Sequence, residues 1–137
     1  MKASLQAGAS LTRRIVVDRA RTIGFMGEEA RVYATPSMIL DIEQTCRELI
    51  LDHADAGEDS VGIEVSIKHL AATLSDMTVE IAVRVTAVDG RKVMFEVSAK
   101  DDIEAISSGT HARFVVNVDK TVERLRAKAA KRDAMKK

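Results

Sequence analysis

The spacing of the apolar residues changes once along the chain, and this change constrains the fold more than any other feature. After Thr35-Pro36 the apolar side chains recur at steps of three and four, which is typical of an amphipathic helix. They are Met38, Ile39, Ile42, Cys46, Leu49 and Ile50. Beyond Gly57 they alternate with polar residues, as in Val61, Ile63, Val65 and Ile67. One long helix followed by alternating strands predicts an α+β fold, in which an antiparallel sheet packs against that helix.

The first strand is predicted at residues 12–17, and four more strands follow the helix. These four lie at residues 61–67, 78–88, 93–99 and 109–118. Asp89-Gly90, between the second and third of them, is a strong signal for a two-residue hairpin. Residues 18–34 have no clean period and predict a loop or a broken helix. Residues 1–137 are expected to form one domain, with 119–137 an exposed C-terminal helix.

The charge balance and the composition disfavour several kinds of partner. Lys+Arg and Asp+Glu both number 21, and aromatic residues make up only 3% of the chain. A surface without excess positive charge and with few rings for stacking argues against nucleic-acid binding. No apolar run approaches the roughly 20 residues that span a bilayer. Because Cys46 is also the only cysteine, we expect a cytoplasmic protein that binds neither nucleic acid nor membrane.

Glu43 stands out because it lies within the apolar stripe of the predicted helix. It comes four residues after Ile39 and three before Cys46, so the three share one side of the helix. One interpretation places Glu43 at the edge of the stripe, with its stem packed and its carboxylate in water. The other places the carboxylate in a pocket over the sheet, where it acts as a base or a nucleophile. The sequence alone leaves both interpretations open.

Thr35 and His69 can be placed relative to Glu43. Thr35 precedes Glu43 by a little over two helical turns, so both can face the sheet. Its hydroxyl fits an N-cap, and it equally fits a ligand contact at the start of the helix. We expect the helix to end between Ala54 and Gly57, because Gly57 can adopt the left-handed conformation that stops helices. His69 shares the apolar face of the odd residues 61–67 if no bulge interrupts that strand. Its ring is either hydrogen-bonded to the backbone at the strand end or serves as an acid or base opposite Glu43.

Two other segments carry side chains that could bind a ligand. His111 and Arg113 share one strand face, which is either a solvated face near a sheet edge or a place where Arg113 holds an anionic group such as a phosphate. The acidic and histidine side chains of residues 52–60 (DHADAGEDS) have no spacing typical of a metal loop, so no metal site is predicted. Cys46, on the apolar stripe, is expected to be a core thiol.

Three stretches resemble the hotdog-fold thioesterases of the fluoroacetyl-CoA thioesterase type. They are ATPSMILDIEQTC at 34–46, SVGIEVSIKHLAAT at 60–73 and VDGRKVMFEVSAKDDIEAISSGTHARFVV at 88–116. The similarity runs from about residue 12 to residue 118. It implies a hotdog fold, in which an antiparallel sheet wraps around one long helix. It also implies that two subunits pair their sheets and that acyl-CoA binds between them.

The same resemblance implies a site. Thr35, Glu43 and His69 stand at the positions of the family's catalytic threonine, glutamate and histidine. Gly62 matches a glycine whose backbone lies near the thioester, and Arg113 matches an arginine of the last strand. The implied activity is hydrolysis of a small or medium acyl-CoA by a homodimer, with Glu43 as nucleophile or general base. CoA is then part of the substrate, and no separate cofactor is expected.

The segment before the helix departs from the family pattern. It reads GFMGEEARVY at residues 24–33, with acidic residues where an aromatic lid residue is expected. An acyl group other than fluoroacetyl is therefore predicted. Two alternatives stay open at this point. One is a hotdog protein that binds acyl-CoA without turnover, and the other is a hotdog hydratase, which Asp52-His53 fits less well because it stands at a helix end.

Overall fold

The computed structural model describes residues 1–136. Within that range the strands are β1 (Ser10–Val16), β2 (Thr22–Ile23), β3 (Val32–Tyr33), β4 (Glu58–His69), β5 (Thr78–Asp89), β6 (Lys92–Lys100) and β7 (Ala105–Asn117). The α-helices are α1 (Thr35–Asp52) and α2 (Val118–Ala134). The long helix and the five long strands that the sequence predicts are therefore present, in the predicted order.

The five long strands form one antiparallel sheet in the order β1-β5-β6-β7-β4. α1 packs against one face of this sheet through its apolar stripe. The buried apolar residues of the helix are Met38, Ile42, Cys46, Leu49 and Ile50, and those of strands β5 and β6 include Ile81, Val83, Val85, Phe95 and Val97. Removal of this surface from water is the main favourable contribution to folding. The architecture is α+β, as predicted, and β4 lies at one edge of the sheet.

The first turn of α1 differs from the prediction. Ala34 occupies the N-cap position, and no side chain caps this end of the helix. Pro36 stands in the first turn, where its missing N–H costs no intrahelical hydrogen bond. The predicted N-cap role of Thr35 is therefore wrong, and its hydroxyl is left for other contacts. The helix also ends earlier than expected, at Asp52, and Gly57 instead adopts a φ of 81° in the turn before β4.

A bulge in β4 changes which of its side chains face the helix. The register with β7 shifts between Gly62 and Glu64, so Ile63 has no direct partner on that strand. Directly opposed residues of antiparallel strands project from the same face of a sheet. Gly62 is opposite Arg113, which is buried beneath α1. The even-numbered Gly62 therefore faces the helix.

The prediction that all odd residues from 61 to 69 share the apolar face is wrong before the bulge. Val61 and Ile63 are 45% and 50% exposed. A bulge adds one residue to a strand and so shifts the alternation by one. Beyond the bulge the predicted parity is correct, because His69 is opposite the buried Ser107, on the helix side.

α2 lies on the surface, as predicted for the C-terminal segment. None of its described residues is buried, and the side chain of Asn117 caps its start by accepting from the N–H of Lys120 at 3.1 Å. The predicted helix extends to residue 137, which lies outside the described residues. Neither α1 nor α2 is long and apolar enough, over residues 1–136, to cross a membrane.

Candidate active site

The hydroxyl of Thr35, in the first turn of α1, is hydrogen-bonded to the ring of His69 at the end of β4. Oγ1 of Thr35 lies 2.7 Å from Nδ1 of His69. Because Ala34 holds the N-cap position, helix capping does not occupy this hydroxyl. The fold thus brings together two of the predicted catalytic residues from segments that are 34 residues apart in sequence.

His69 is well placed to exchange a proton. Burial lowers the pKa of its ring below the ordinary value of 6.5. Its Nε2 atom is buried and has no hydrogen-bond partner among residues 1–136. The neutral ring, favoured near pH 7, keeps one nitrogen as a proton acceptor. His69 can therefore accept a proton from the hydroxyl of Thr35 or from a group bound beside it.

Tyr33 orients His69 from the segment that precedes α1. The two rings meet edge to face, with centroids 6.5 Å apart. The Tyr33 hydroxyl donates to the carboxylate of Asp41 on α1, which also accepts from Nε of Arg21 at 2.9 Å. Burial raises the pKa of Tyr33, so the hydroxyl keeps its hydrogen. The segment predicted as a loop or a broken helix consists of short turns and the paired β2 and β3, and these contacts tie it to the helix.

Glu43 lies further along α1, where its carboxylate meets the backbone of Gly62. The Glu43 side chain is 29% exposed, and its Oε2 lies 3.6 Å from Nη1 of Arg113. A Cβ atom at Gly62 would come within 2.8 Å of that Oε2. Only glycine allows a side chain to approach the strand so closely. Each of the two sequence interpretations is therefore correct in part. Glu43 stands at the edge of the buried stripe, and its carboxylate lies between α1 and the sheet.

Arg113 is 5% exposed, and two residues hold its guanidinium. Its Nε donates to Oγ of Ser60 at 2.7 Å, and its Nη2 donates to the Ser60 carbonyl at 2.8 Å. Its Nη1 lies 3.3 Å from Nε2 of His111, which is 2% exposed. The interpretation of this strand face as solvated is therefore wrong. α1 covers the face, and Arg113 meets the carboxylate of Glu43.

The five predicted site residues form two groups along α1. Thr35 and His69 form the first group, and Glu43, Gly62 and Arg113 form the second. Eight residues separate Thr35 from Glu43, which corresponds to about 12 Å along a helix axis. Among residues 1–136, Glu43 makes no hydrogen bond or ion pair with Thr35 or His69. An elongated ligand is therefore needed to contact both groups of one chain.

Three residues that support the site were missed by sequence reasoning. Tyr33 and Asp41 hold His69 in place, and Ser60 holds Arg113. A serine at the start of a strand carries no signal of its own. Asp41 did carry one, because it falls on the inner side of the predicted helix, and it is only 6% exposed. A carboxylate buried to that degree requires partners.

Cys46 lies in the core beneath the same helix. It is fully buried, and burial raises the pKa of its thiol to about 12. A thiol that stays protonated is a poor nucleophile, and the predicted core role is confirmed. No group of three or more His, Cys, Asp or Glu side chains in the described part of the chain is placed to hold a metal ion.

The match to a family of known proteins covers both groups of residues. Residues 17–119 match the family described as fluoroacetyl-CoA-specific thioesterase. The chain belongs to this family. The fluoroacetyl-CoA thioesterase of Streptantibioticus cattleyicolor is 30% identical over 135 residues, which cover 93% of this chain and 97% of the relative. The resemblance drawn from the three sequence stretches is thereby confirmed.

Solved structures of fluoroacetyl-CoA-specific thioesterases and their relatives share the fold. A structure of the fluoroacetyl-CoA thioesterase is 30% identical, with a TM-score of 0.82 over 90% of this chain and 96% of that one. A hypothetical protein of Thermus thermophilus, described as a thioesterase superfamily member, is 26% identical, with a TM-score of 0.86 over 95% of this chain and 97% of that one. The predicted hotdog fold is confirmed, and the family is one of thioester hydrolases.

Proposed function

We propose that this protein hydrolyses an acyl-CoA thioester, with Glu43 as nucleophile or general base and with His69 and Thr35 as its partners. One observation carries the proposal: the Glu43 carboxylate lies so close to the backbone of Gly62 that a Cβ there would meet Oε2 at 2.8 Å. This contact stands beside the bulge of β4, where Ile63 is unpaired with β7. Backbone groups released at a bulge can bind a thioester oxygen. The carboxylate is then next to the carbonyl carbon.

Two routes of hydrolysis fit this arrangement. In one, Glu43 attacks the carbonyl carbon, the bond to the CoA sulfur breaks, and water hydrolyses the resulting anhydride. In the other, Glu43 takes a proton from a water molecule whose oxygen attacks the carbon directly. Both routes consume one water and release a carboxylic acid and the CoA thiol. Arg113 orients Glu43. His69, which burial keeps neutral by lowering its pKa, exchanges a proton with Thr35 in the other group of site residues, which the elongated acyl-CoA also contacts.

The exposed edge of β4 supports a homodimer. β4 ends the sheet, and its residues Val61, Ile63 and Val65 are 45%, 50% and 42% exposed. An apolar edge strand is a ready surface for pairing with a strand of another chain. Pairing of two copies here would cover that edge and enclose CoA between the subunits, near both groups of site residues. Sedimentation analysis checks this, and a monomer at assay concentrations contradicts it.

The proposed substrate is a small or medium acyl-CoA other than fluoroacetyl-CoA. The segment before α1 supports this, because acidic residues stand where the family pattern has an aromatic lid residue. One of them, Glu28, is paired with Arg19 at 2.5 Å and with Arg31 at 3.3 Å. The ring of Phe25, in the same segment, is 80% exposed. We also propose a cytoplasmic location, which the single, unbridged Cys46 supports.

Release of free CoA from a panel of short and medium acyl-CoAs, followed with a thiol-reactive dye, tests the proposal. We expect the wild-type protein to release thiol. Glu43→Gln should keep the fold, checked by circular dichroism, and lower turnover by orders of magnitude, and His69→Ala should lower it as well. Full activity in Glu43→Gln contradicts the assigned role. Saturable binding of acyl-CoA without thiol release from the wild type shows a binding protein instead.

A further inference from the structure

We propose that His111 is a positioning residue for Glu43 that acts through Arg113. The inference rests on the proposed role of Glu43 and identifies the group that determines where Arg113 stands. His111 precedes Arg113 by two residues on β7, so both side chains project toward α1. A Cβ at Gly62 would lie 3.2 Å from Cε1 of His111 and 3.5 Å from Nη1 of Arg113. The imidazole therefore stands directly behind the contact between Glu43 and the strand.

The neighbours of His111 fix which of its nitrogens carries the hydrogen. Nδ1 lies 2.8 Å from the carbonyl oxygen of Glu64, and because a carbonyl only accepts, Nδ1 must be the donor. The ring of Phe95 stacks on the imidazole with centroids 6.3 Å apart, and burial lowers the pKa of His111. The ring is therefore neutral near pH 7. Its Nε2 is left as an acceptor without a hydrogen.

The carbonyl that fixes this tautomer belongs to the bulge of β4. Glu64 stands where the register with β7 resumes after the unpaired Ile63. A bulge disrupts the hydrogen-bond ladder locally, and at this point the Glu64 carbonyl accepts from a side chain of the neighbouring strand. The irregularity that lets Gly62 face the helix thus also orients the imidazole.

Nε2 of His111 restrains the guanidinium that meets Glu43. Nη1 of Arg113 lies 3.3 Å from this nitrogen and 3.6 Å from Oε2 of Glu43. The other side of the guanidinium is held by Ser60, which accepts from Nε and Nη2 of Arg113. Burial lowers the pKa of Arg113, yet an arginine keeps its proton in proteins. Without the imidazole acceptor, Nη1 would turn to the carboxylate, which is the strongest acceptor left beside it.

The other ionisable groups around Glu43 are engaged elsewhere. Arg47, one turn further along α1, pairs with Asp59 of β4 at 2.7 Å. Cys46 is a buried thiol whose pKa is raised to about 12, so it stays neutral. Arg113 is thus the cation that meets Glu43. His111 is the neutral group that keeps this cation from closing onto the carboxylate.

Two substitutions separate the two hydrogen bonds of His111. His111→Gln can place its amide oxygen near the position of Nε2, where it accepts from Arg113. His111→Asn can place its amide nitrogen near the position of Nδ1, where it donates to Glu64, and it leaves Arg113 without the acceptor. We expect the Asn variant to lower kcat about ten- to a hundredfold with little change in KM, as a displaced reacting group does. The Gln variant should retain most of the kcat.

A spectroscopic measurement and a matched control complete the test. The Nη1–H signals of Arg113 in nitrogen-15 NMR spectra at low temperature, assigned by their loss in Arg113→Lys, should remain slow to exchange in the Gln variant and not in the Asn variant, because Nη1 is the group that faces residue 111. Val97→Ala, in the core on β6, should lower the melting temperature without lowering kcat and without changing the exchange of the Arg113 signals. If His111→Asn does not fold, His111→Leu, which also lacks the acceptor and fills the apolar site beside Phe95, takes its place.

Equal losses of kcat in the Gln and Asn variants would overturn the proposal, because ring packing alone would then explain both. A fully active Asn variant, or an unchanged Arg113 signal, would also overturn it. If the wild-type protein hydrolyses no acyl-CoA, the proposed function fails, and the NMR comparison still decides whether His111 restrains Arg113.

Discussion

Oγ1 of Thr35 lies 2.7 Å from Nδ1 of His69 and is free of any capping role, because Ala34 precedes it at the N-cap. A threonine before a helical proline would ordinarily be interpreted as a cap. Here the N-cap is one residue earlier, at Ala34, and Thr35 is already the first residue of the helix. The hydroxyl is therefore directed to the imidazole, and its contribution to activity can be separated from its contribution to stability.

Replacing Thr35 by Val should lower kcat and leave the fold intact. The substitution removes the hydrogen bond to His69, and proton transfer through such a group contributes at least about a hundredfold to rate. Because no capping bond is lost, the free energy of unfolding should fall only by the contribution of the hydrogen bond to His69, about 0.5–1.5 kcal/mol. Thr35→Ser, which keeps the hydroxyl, should remain active. Thiol release and urea unfolding measure the two effects, and a Val variant with full kcat would rule out a role for the hydroxyl.

Gly62→Ala should inactivate the protein without unfolding it. The added Cβ would lie 2.8 Å from Oε2 of Glu43, which is the end of a flexible side chain and can move aside, and 3.2 Å from Cε1 of His111, which must shift by only a few tenths of an ångström. We expect kcat to fall by about a hundredfold, as for displacement of a reacting group by an ångström. The melting temperature should stay close to that of the wild type.

Gly109→Ala is the matched contrast to Gly62→Ala. A Cβ at Gly109 would overlap the backbone carbonyl of Ser66 on β4, and backbone in a sheet cannot move aside cheaply. The free energy of unfolding should therefore fall by about 3 kcal/mol, the upper end of the usual cost of overpacking. Thermal melts of both variants compare the two sites. Similar melting temperatures in the two glycine variants would contradict this account.

The elements of the fold could be predicted from the sequence because each has its own period. The step of three and four residues gave α1, and the alternation after Gly57 gave the strands, since burial on one face of each element imposes these patterns. The bulge at Ile63 has no such pattern, because one unpaired residue leaves the composition of a strand unchanged. The faces of Val61 and Gly62 were therefore predicted with the wrong parity.

The site could be predicted only in part, for a related reason. Glu43 could be singled out because it interrupts the apolar stripe, and the spacing could place Thr35 and His69 relative to it. Their catalytic roles were implied only by the family resemblance and stay a prediction. The environment of Arg113 could not be predicted, because the helix that covers it is distant in sequence. Its partner Ser60 is 53 residues away. Contacts of this kind depend on tertiary packing and leave no local pattern.

Ile42→Ala should destabilise the protein and leave the chemistry of the folded fraction unchanged. Ile42 precedes Glu43 on α1 and is fully buried. Truncation of a buried isoleucine to alanine costs about 2–5 kcal/mol through lost burial and the cavity that remains. Glu43→Gln should do the opposite, with little loss of stability and a large loss of turnover. Urea unfolding with kinetics at low temperature distinguishes them, and an Ile42→Ala variant as stable as the wild type would contradict the core assignment.

The free energy of unfolding should fall as the pH is lowered from about 7.5 to about 5.5. Burial lowers the pKa of both His69 and His111 below the ordinary value of 6.5. Near and below that value the unfolded chain takes up protons that the folded rings resist, so the unfolded state binds more protons and stability rises with pH. The effect is at most about 1.4 kcal/mol per pH unit for each ring.

The carboxylates whose pKa values are lowered affect the free energy of unfolding only at lower pH. The pKa of Glu58, which accepts from the amino terminus, is lowered from 4.5 to about 2, and the pKa of Asp59 is lowered from 3.8 by Arg47. Their contributions are complete above these ordinary values and are lost only as the pH falls toward the folded values. Urea unfolding at several pH values between about 7.5 and about 5.5 therefore reports mainly on the histidines. His69→Gln and His111→Gln should each flatten the dependence, and a wild-type stability that does not vary over this range would show that neither ring resists protonation.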